Sequence, residues 1–187
     1  GNGFVPWPSS GLPSWGHAMG WGQGDLDRDG DLDYVLSDTG PNSVLFRVGN
    51  GPPVPGSPLA FVSLDSKHPL QLANLNNSTW SPMVEDWNGD GLLDIYFGVT
   101  MTWQPSQANL LGSCTLAPSS LPNSDVLALA IGTQPMEHGS WVVQTAPQMP
   151  CGDWGQLAQA AVDVDGDNDL DIVQARVGCK TGQNILR

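Results

Sequence analysis

Acidic side chains recur at alternate positions in three short segments of the chain. The first segment, residues 24–36, reads GDLDRDGDLDYVL. Like charges at this density disfavour ionisation and push the chain apart, so we expect something to offset their repulsion. Counted from the first carboxylate of each segment, the candidate ligands stand at positions 1, 3, 5, 7 and 9: Asp25, Asp27, Asp29, Asp31 and Asp33; Asp86, Asn88, Asp90, Leu92 and Asp94; Asp163, Asp165, Asp167, Asp169 and Asp171.

The spacing within these three loops suits a calcium ion. A loop that curls around one point can supply side-chain oxygens from positions 1, 3, 5 and 9 and a main-chain carbonyl from position 7. Ca²⁺ takes about 6–8 oxygen ligands in irregular geometry, whereas Mg²⁺ retains water and seldom uses an all-protein cage. The loops contain neither Cys nor His, which argues against zinc. The sequence therefore predicts about three calcium sites, each pinning a pair of strands.

An EF-hand and a plain turn both fit the loops less well. The EF-hand shares the first alternating positions, but it requires a glutamate at position 12 and flanking helices. Position 12 is Leu36, Phe97 or Gln174, and the flanking segments are apolar and β-like. A plain Asp-Gly turn would account for one copy, yet not for three copies that share the ninth aspartate.

The chain around the loops also repeats. Each loop is followed by an apolar run that predicts a strand, at 34–36, 95–97 and 172–173. A second apolar run, which begins with Asn, comes later in each unit and predicts another strand, at 42–47, 109–111 and 184–187. A fourth strand is predicted at 59–64 and at 140–144, and a Trp-containing stretch precedes each loop. Four strands per repeat are typical of a propeller blade. We expect the Ser- and Pro-rich segment 113–135 to be an inserted surface loop.

Composition narrows the function classes. The chain has 187 residues and a net charge of −13, from 19 acidic and 6 basic residues. Binding to nucleic acid or to an anionic membrane surface is improbable, because both need clustered cations. No apolar run approaches the roughly 20 residues of a membrane span. The histidines His17, His68 and His138 share no spacing and no nucleophile motif accompanies them, and we read Glu137 and His138 as a solvated pair, so a non-enzymatic role is predicted.

The pattern D-x-[DN]-x-D-[GN]-x-L-D followed by an apolar strand resembles the FG-GAP/VCBS repeats of integrin α-subunit-like β-propellers. The resemblance covers most of the chain, and the segment after Cys114 departs from it. It implies an all-β fold of about three four-stranded blades, with each acidic loop a calcium site between the first two strands of a blade. It also implies extracellular display, adhesion, and glycan or protein binding.

The repeats divide a single domain, residues 1–187, into three units. Repeat 1 spans about 14–66, repeat 2 about 78–146, and repeat 3 about 152–187, completed by an N-terminal strand at 1–8 or by a neighbour. Three blades are fewer than the four to eight of a closed propeller. Because an open set leaves exposed sheet edges, we expect self-association or continuation in a longer chain.

Together with the acidic loops, the resemblance implies a non-enzymatic extracellular calcium-binding module for adhesion, assembly or ligand binding. One alternative is a lectin that uses Trp-containing pockets, with Trp87 expected to face outward beside the second loop. Another is an accessory domain of a larger secreted enzyme. Two N-glycosylation sequons begin at Asn76 and Asn77.

The blade arrangement predicts a disulfide between Cys151 and Cys179. Cys151 precedes the first strand of the third unit and Cys179 follows its second strand, so both lie at one end of that sheet. Cys114 would lie at the opposite end. Mass spectrometry of an unreduced digest should show the Cys151–Cys179 cross-link, and a bridge that contains Cys114 would contradict the arrangement.

Overall fold

Three β-sheets, formed one after another along the chain, make up the described part of the molecule. The computed structural model describes residues 9–10, 12, 19–38, 42–49, 59–65, 67–72, 78–100, 125–145, 156–176 and 183–186. Within these residues there are twelve strands, one four-residue helix and one 3₁₀ turn. The predicted all-β class is confirmed at this level. None of the helical segments in the described ranges has the length and apolarity to cross a membrane.

The first sheet is an antiparallel meander with one added edge strand. Its strands are β1 (Ser9–Ser10), β2 (Gly20–Gly24), β3 (Asp33–Ser37), β4 (Ser43–Val48) and β5 (Leu59–Ser63), in the spatial order β1-β5-β4-β3-β2. Strand β1 pairs in parallel with β5, and the other pairs are antiparallel. The short helix α1 (Pro69–Leu72) follows this sheet. The strands predicted at 34–36, 42–47 and 59–64 are therefore present as β3, β4 and β5. Strand β2 precedes the loop, β1 is additional, and the Trp15 stretch lies outside the described residues.

The second sheet has four antiparallel strands and corrects one prediction. Its strands, in spatial order, are β6 (Ser78–Glu85), β7 (Asp94–Thr100), β8 (Val126–Ala130) and β9 (Trp141–Thr145). The loop predicted at 113–135 is wrong over β8, which is the third strand of this sheet. The alternating burial of VLALA explains the strand, since every second residue enters the core. The third strand that we expected at 109–111 lies outside the described residues.

The third sheet contains β10 (Gln156–Val162), β11 (Asp171–Arg176) and β12 (Gln183–Leu186), antiparallel and in that order. The fourth strand predicted at residues 1–8 lies outside the described part of the chain. The same holds for Cys114, Cys151 and Cys179 and for the sequons, so the disulfide and the blade seam stay predictions.

The strands that lead into the acidic loops, β2, β6 and β10, pack side by side. Strand β6 lies between β2 and β10, which is the arrangement of inner strands in a propeller. A large apolar core that includes Val35, Phe46 and Phe97 joins sheets one and two. A smaller cluster of Met83, Tyr96 and Ile172 joins sheets two and three.

A buried polar network supplements that smaller cluster. The Tyr96 hydroxyl donates to Asp125 Oδ2 at 2.7 Å, and Gln174 Nε2 donates to the Tyr96 hydroxyl oxygen at 2.9 Å. All three side chains are almost completely buried. Because buried polar groups are costly unless they are hydrogen-bonded, this network fixes how sheet three sits on sheet two.

Alternating glycines in β2 allow its close approach to β6. Gly20, Gly22 and Gly24 have their open side toward sheet two. A Cβ atom at Gly22 would stand 2.8 Å from the carbonyl oxygen of Pro82, and one at Gly20 would stand 2.7 Å from the main-chain nitrogen of Ser81. A real Cβ does not come this close to main chain, so any side chain here would push the two inner strands apart.

We expect Gly22→Ala to lower the free energy of unfolding by about 1–3 kcal/mol, because the added methyl group overpacks against the main chain of β6. Urea unfolding monitored by tryptophan fluorescence measures the change. Gly139→Ala is the matched control, since no atom lies within 4 Å of the Cβ it adds. Equal stability of the two variants would contradict the close packing of β2 on β6.

Candidate metal centres

Each acidic loop joins two neighbouring antiparallel strands of one sheet. The loops at 25–33, 86–94 and 163–171 connect β2 to β3, β6 to β7, and β10 to β11. This is the position between two neighbouring strands that the sequence predicts.

All three loops bend through left-handed backbone at positions 4 and 6. The φ angles are +63° and +89° at Arg28 and Gly30, +72° and +84° at Gly89 and Gly91, and +80° and +73° at Gly166 and Asn168. Asn168 stands where the other two loops have glycine, and asparagine adopts the left-handed conformation at lower cost than most residues. The bend at position 4 was missed, although the glycines of the second and third loops signalled it.

Side chains of the loops turn inward onto loop main chain. The carboxylate at position 1 accepts a hydrogen bond from the N–H at position 6 in every copy, at 3.0 Å from Gly30, 2.8 Å from Gly91 and 3.0 Å from Asn168. The carboxylate at position 5 accepts one from the N–H at position 7, at 2.9, 2.8 and 3.0 Å in the first, second and third loops. These bonds curl each loop and bring its alternate side chains toward one side.

The ninth aspartate is buried and links the loop to the sheet. Asp33 Oδ2, Asp94 Oδ2 and Asp171 Oδ2 accept a hydrogen bond from the N–H at position 2 at 2.9, 3.0 and 3.0 Å. The other oxygen of Asp33 and of Asp94 accepts from the third strand, from Arg47 N at 2.9 Å and Ala130 N at 2.8 Å. The sequence predicted this residue only as a metal ligand, and its second role as a bridge between strands was missed.

The structure gathers carboxylates in two of the loops. One oxygen from each of Asp25, Asp27 and Asp29 lies within 4.8 Å of the others, as does one from each of Asp163, Asp165 and Asp171. In the second loop the amide of Asn88 replaces one carboxylate, and its Nδ2 donates to Asp90 Oδ2 at 3.0 Å.

Position 7 differs among the loops. The Asp31 side chain is buried and pairs through Oδ1 with the Arg47 guanidinium, while its Oδ2 accepts no hydrogen bond from the described residues. Leu92 can offer only its carbonyl as a ligand. Asp169 is exposed, and its N–H donates to Asp167 Oδ1.

The first loop passes a test of fit for a cation. Asp25 Oδ1 is buried and accepts no hydrogen bond from the described residues. A buried carboxylate oxygen without a partner is costly, and a cation in the loop would satisfy it. Burial, followed by repulsion from Asp29 and Asp25, raises the pKa of Asp27 despite a hydrogen bond from the Asp29 N–H.

In two of the loops the carboxylate at position 9 also has a raised pKa. Burial raises the pKa of Asp33 to about 6, against the opposing effect of the Arg47 N–H, and burial also raises the pKa of Asp94. A positive ion nearby would favour the charged forms of all these groups. The donor set is made of oxygen, which fits a hard cation such as Ca²⁺ or Mg²⁺.

The tryptophans Trp87 and Trp21 differ in exposure. The outward orientation expected for Trp87 is wrong: the ring is half-buried, with its centroid 6.1 Å from that of Tyr96, and it packs on the Met83 cluster. The N–H of Trp87 donates to Asp94, and this bond fixes the residue at the base of the loop. Trp21, by contrast, is 59% exposed and lies 6.1 Å from the ring of Tyr34.

A group of titratable residues lies away from the loops. His138 and Glu137 are both exposed, and His138 Nε2 lies 2.7 Å from Asp65 Oδ2. This contact lowers the pKa of Asp65. His68 is buried, with its ring 5.3 Å from that of His138, and burial lowers its pKa. The group ties the segment before α1 to the turn before β9.

Comparison with known proteins identifies one repeat. The family model of the FG-GAP-like repeat matches residues 25–97, from the first ligand position of the first loop to the strand after the second loop. The resemblance inferred from the sequence is confirmed over this segment. No curated protein and no solved structure gives a significant match.

The acidic residues have two roles, as hydrogen-bond acceptors within the fold and as ligands for a metal ion. Stability measured in the presence of a chelator reports the first role alone. Without metal, we expect Asp94→Asn to lower the free energy of unfolding by about 1–3 kcal/mol, because its NH₂ group would face a main-chain N–H that now has an acceptor. Asp27→Asn should be neutral or stabilising under the same conditions, since it keeps an acceptor for Asp29 N and removes repulsion. Urea unfolding in EDTA measures both. Equal losses in the two variants would contradict the distinction.

Proposed function

We propose that this chain, which carries an FG-GAP-like repeat over residues 25–97, is a non-enzymatic calcium-binding module of the β-propeller type. The observation that carries the proposal is the first loop, where one oxygen from each of Asp25, Asp27 and Asp29 lies within 4.8 Å of the others. In the same loop Asp25 Oδ1 is buried and has no hydrogen-bond partner among the described residues. The same curl and the same hydrogen bonds in the other two loops extend the proposal to three sites.

Calcium would act as a structural cross-link in each loop. Side-chain oxygens at positions 1, 3, 5 and 9 and the carbonyl at position 7 are the groups that would hold it. The ion would neutralise part of a chain that carries a net charge of −13 and would stiffen the connection between the first two strands.

We place the module outside the cell or on its surface. The support is the resemblance to the FG-GAP repeats of integrin α-subunit-like propellers, which implies extracellular display. The predicted disulfide fits the same oxidising compartment. Adhesion, assembly or binding of a glycan or protein ligand is the role proposed for this frame, with self-association as one of its forms.

A lectin is the second candidate function, and one observation favours it. Trp21 is the exposed tryptophan of the described residues, and its ring, with Tyr34 tilted at 47° beside it, offers an apolar surface of the kind that stacks on sugars. The half-buried Trp87 does not serve this candidate. An accessory role beside a catalytic domain is compatible with the same frame.

Calcium removal tests the proposed function. We expect the melting temperature to fall when EDTA replaces Ca²⁺, because an ion that binds only the folded chain adds about 2.7 kcal/mol per site at a hundredfold excess over Kd. Isothermal titration calorimetry should give about three ions per chain, and Asp25→Asn should remove one of them. Mg²⁺ at equal concentration should restore less stability than Ca²⁺.

Glu137→Gln is the matched control for this experiment, since it removes one exposed negative charge outside the loops. It should leave the calcium stoichiometry unchanged. A melting temperature that is the same with Ca²⁺ and with EDTA would contradict the proposal, as would equal stoichiometry in wild type and Asp25→Asn.

A further inference from the structure

Sheets one and three lie at the two ends of the described row of sheets, and each has one face that no described sheet covers. The residues of these two faces are exposed or half-buried, and they occupy register positions that form interfaces elsewhere in the molecule. The trailing face belongs to sheet three and consists of Ala158, Ala160 and Val162 on β10. The leading face belongs to sheet one and consists of Trp21 and Gln23 on β2 with Tyr34 and Leu36 on β3.

The trailing face matches the glycine side of β2 residue by residue. Val162 pairs with the ninth aspartate of the third loop, and Gly24 pairs with the ninth aspartate of the first loop. Ala160 and Ala158 pair with the residues two and four places after that aspartate on β11. Gly22 and Gly20 pair with the residues at the same two places on β3. In sheet one these positions receive β6. In sheet three they are exposed, Val162 to 43%.

The leading face matches the sides of sheets two and three that contact the preceding sheet. Ile95 and Phe97, at positions 10 and 12 counted from the second loop, are buried in the core shared with sheet one. Ile172 and Gln174, at the same positions of the third, contact sheet two through the Met83 cluster and the Tyr96 hydroxyl. The residues at these positions in sheet one are Tyr34 and Leu36.

Trp21 completes the equivalence. Trp21 pairs with Leu36, the residue at position 12 of the first repeat, just as Gln159 of β10 pairs with Gln174 at position 12 of the third. Gln159 Nε2 donates a hydrogen bond to the carbonyl of Ser81 in sheet two. The position that reaches the preceding sheet in repeat three is thus occupied in repeat one by a tryptophan that is 59% exposed.

We propose that the leading face of one copy of this chain packs on the trailing face of a second copy, so that two copies join head to tail through two equal contacts. The inference deepens the self-association put forward above and rests on the propeller-type module. The proposed contact would place the large side chains of the leading face against the small side chains of the trailing face. The contact of β6 with the glycines of β2 also places larger residues against small ones. None of the seven residues is charged, so a chain of net charge −13 meets its copy through neutral surface.

Sedimentation velocity over a concentration series in Ca²⁺ tests the inference. The wild-type chain should dimerise, and Trp21→Arg should raise the dimer dissociation constant at least tenfold. Ile131→Arg is the control, because Ile131 is 58% exposed and lies outside both faces, and it should leave dimerisation unchanged. The melting temperatures of all variants with Ca²⁺ and with EDTA show whether the module folds and binds calcium, so a failure of the proposed function is seen separately.

Mixing two variants gives the sharper result. Ala160→Arg, on the trailing face, should also be monomeric by itself. An equal mixture with Trp21→Arg should form a one-to-one dimer weaker than wild type, because one of its two contacts is intact. A wild-type chain that is monomeric throughout would overturn the inference, as would dimers that survive both substitutions. Glycan binding by monomeric wild type that Trp21→Arg abolishes would overturn it too and would assign the leading face to a sugar.

Discussion

A buried carboxylate at the start of the second strand is the constraint on which the loops and the first two sheets depend. Asp33 and Asp94 each accept one hydrogen bond from the loop before them and one from the third strand beside them. Each therefore joins three successive segments of a sheet through a single side chain. Hydrogen bonds to a charged acceptor are stronger than those between neutral groups, so the ionised form is the one that holds this geometry.

The same constraint creates the need for a cation. Burial raises the pKa values of Asp33 and Asp94, and the carboxylates at positions 1, 3 and 5 of the first loop crowd together. Hydrogen bonds from main-chain N–H groups offset part of this cost, but Asp25 Oδ1 is left buried without one. A divalent ion would offset the rest. Frame and metal site are thus one structure, and the alternating aspartates are understood only when both roles are counted.

Local chemistry was predictable from the sequence, and long-range contacts were not. The loop positions, the strands on either side of them and the left-handed Asn168 follow from spacing and side-chain type alone. Strand β8 was missed because VLALA lies within a Ser- and Pro-rich segment and pairs with β7 across some thirty residues, as in Ile95 with Ala128. The inward orientation of Trp87 depends on the contact of its ring with Tyr96 and on the hydrogen bond from its main-chain N–H to Asp94. Neither interaction can be predicted from the spacing of the acidic residues. The partners of Tyr96, Asp125 and Gln174, lie 29 and 78 residues away.

Three loops with nearly the same chemistry pose a problem of order, since a repeated sheet could pack on the wrong neighbour. The contacts between sheets differ where the loops do not. Sheets one and two meet through bare glycines against a β6 that is irregular at Ser81, where φ is +48°. They also share a large apolar core and a buried hydrogen bond from Thr79 Oγ1 to Asn42 Oδ1. Sheets two and three meet through a small apolar cluster and the buried polar groups of Tyr96, Asp125 and Gln174. A polar group buried against the apolar core would lose its partners, so each surface accepts one neighbour and penalises the other. Specificity thus resides in the faces between sheets, while the loops supply a common means of holding each sheet together.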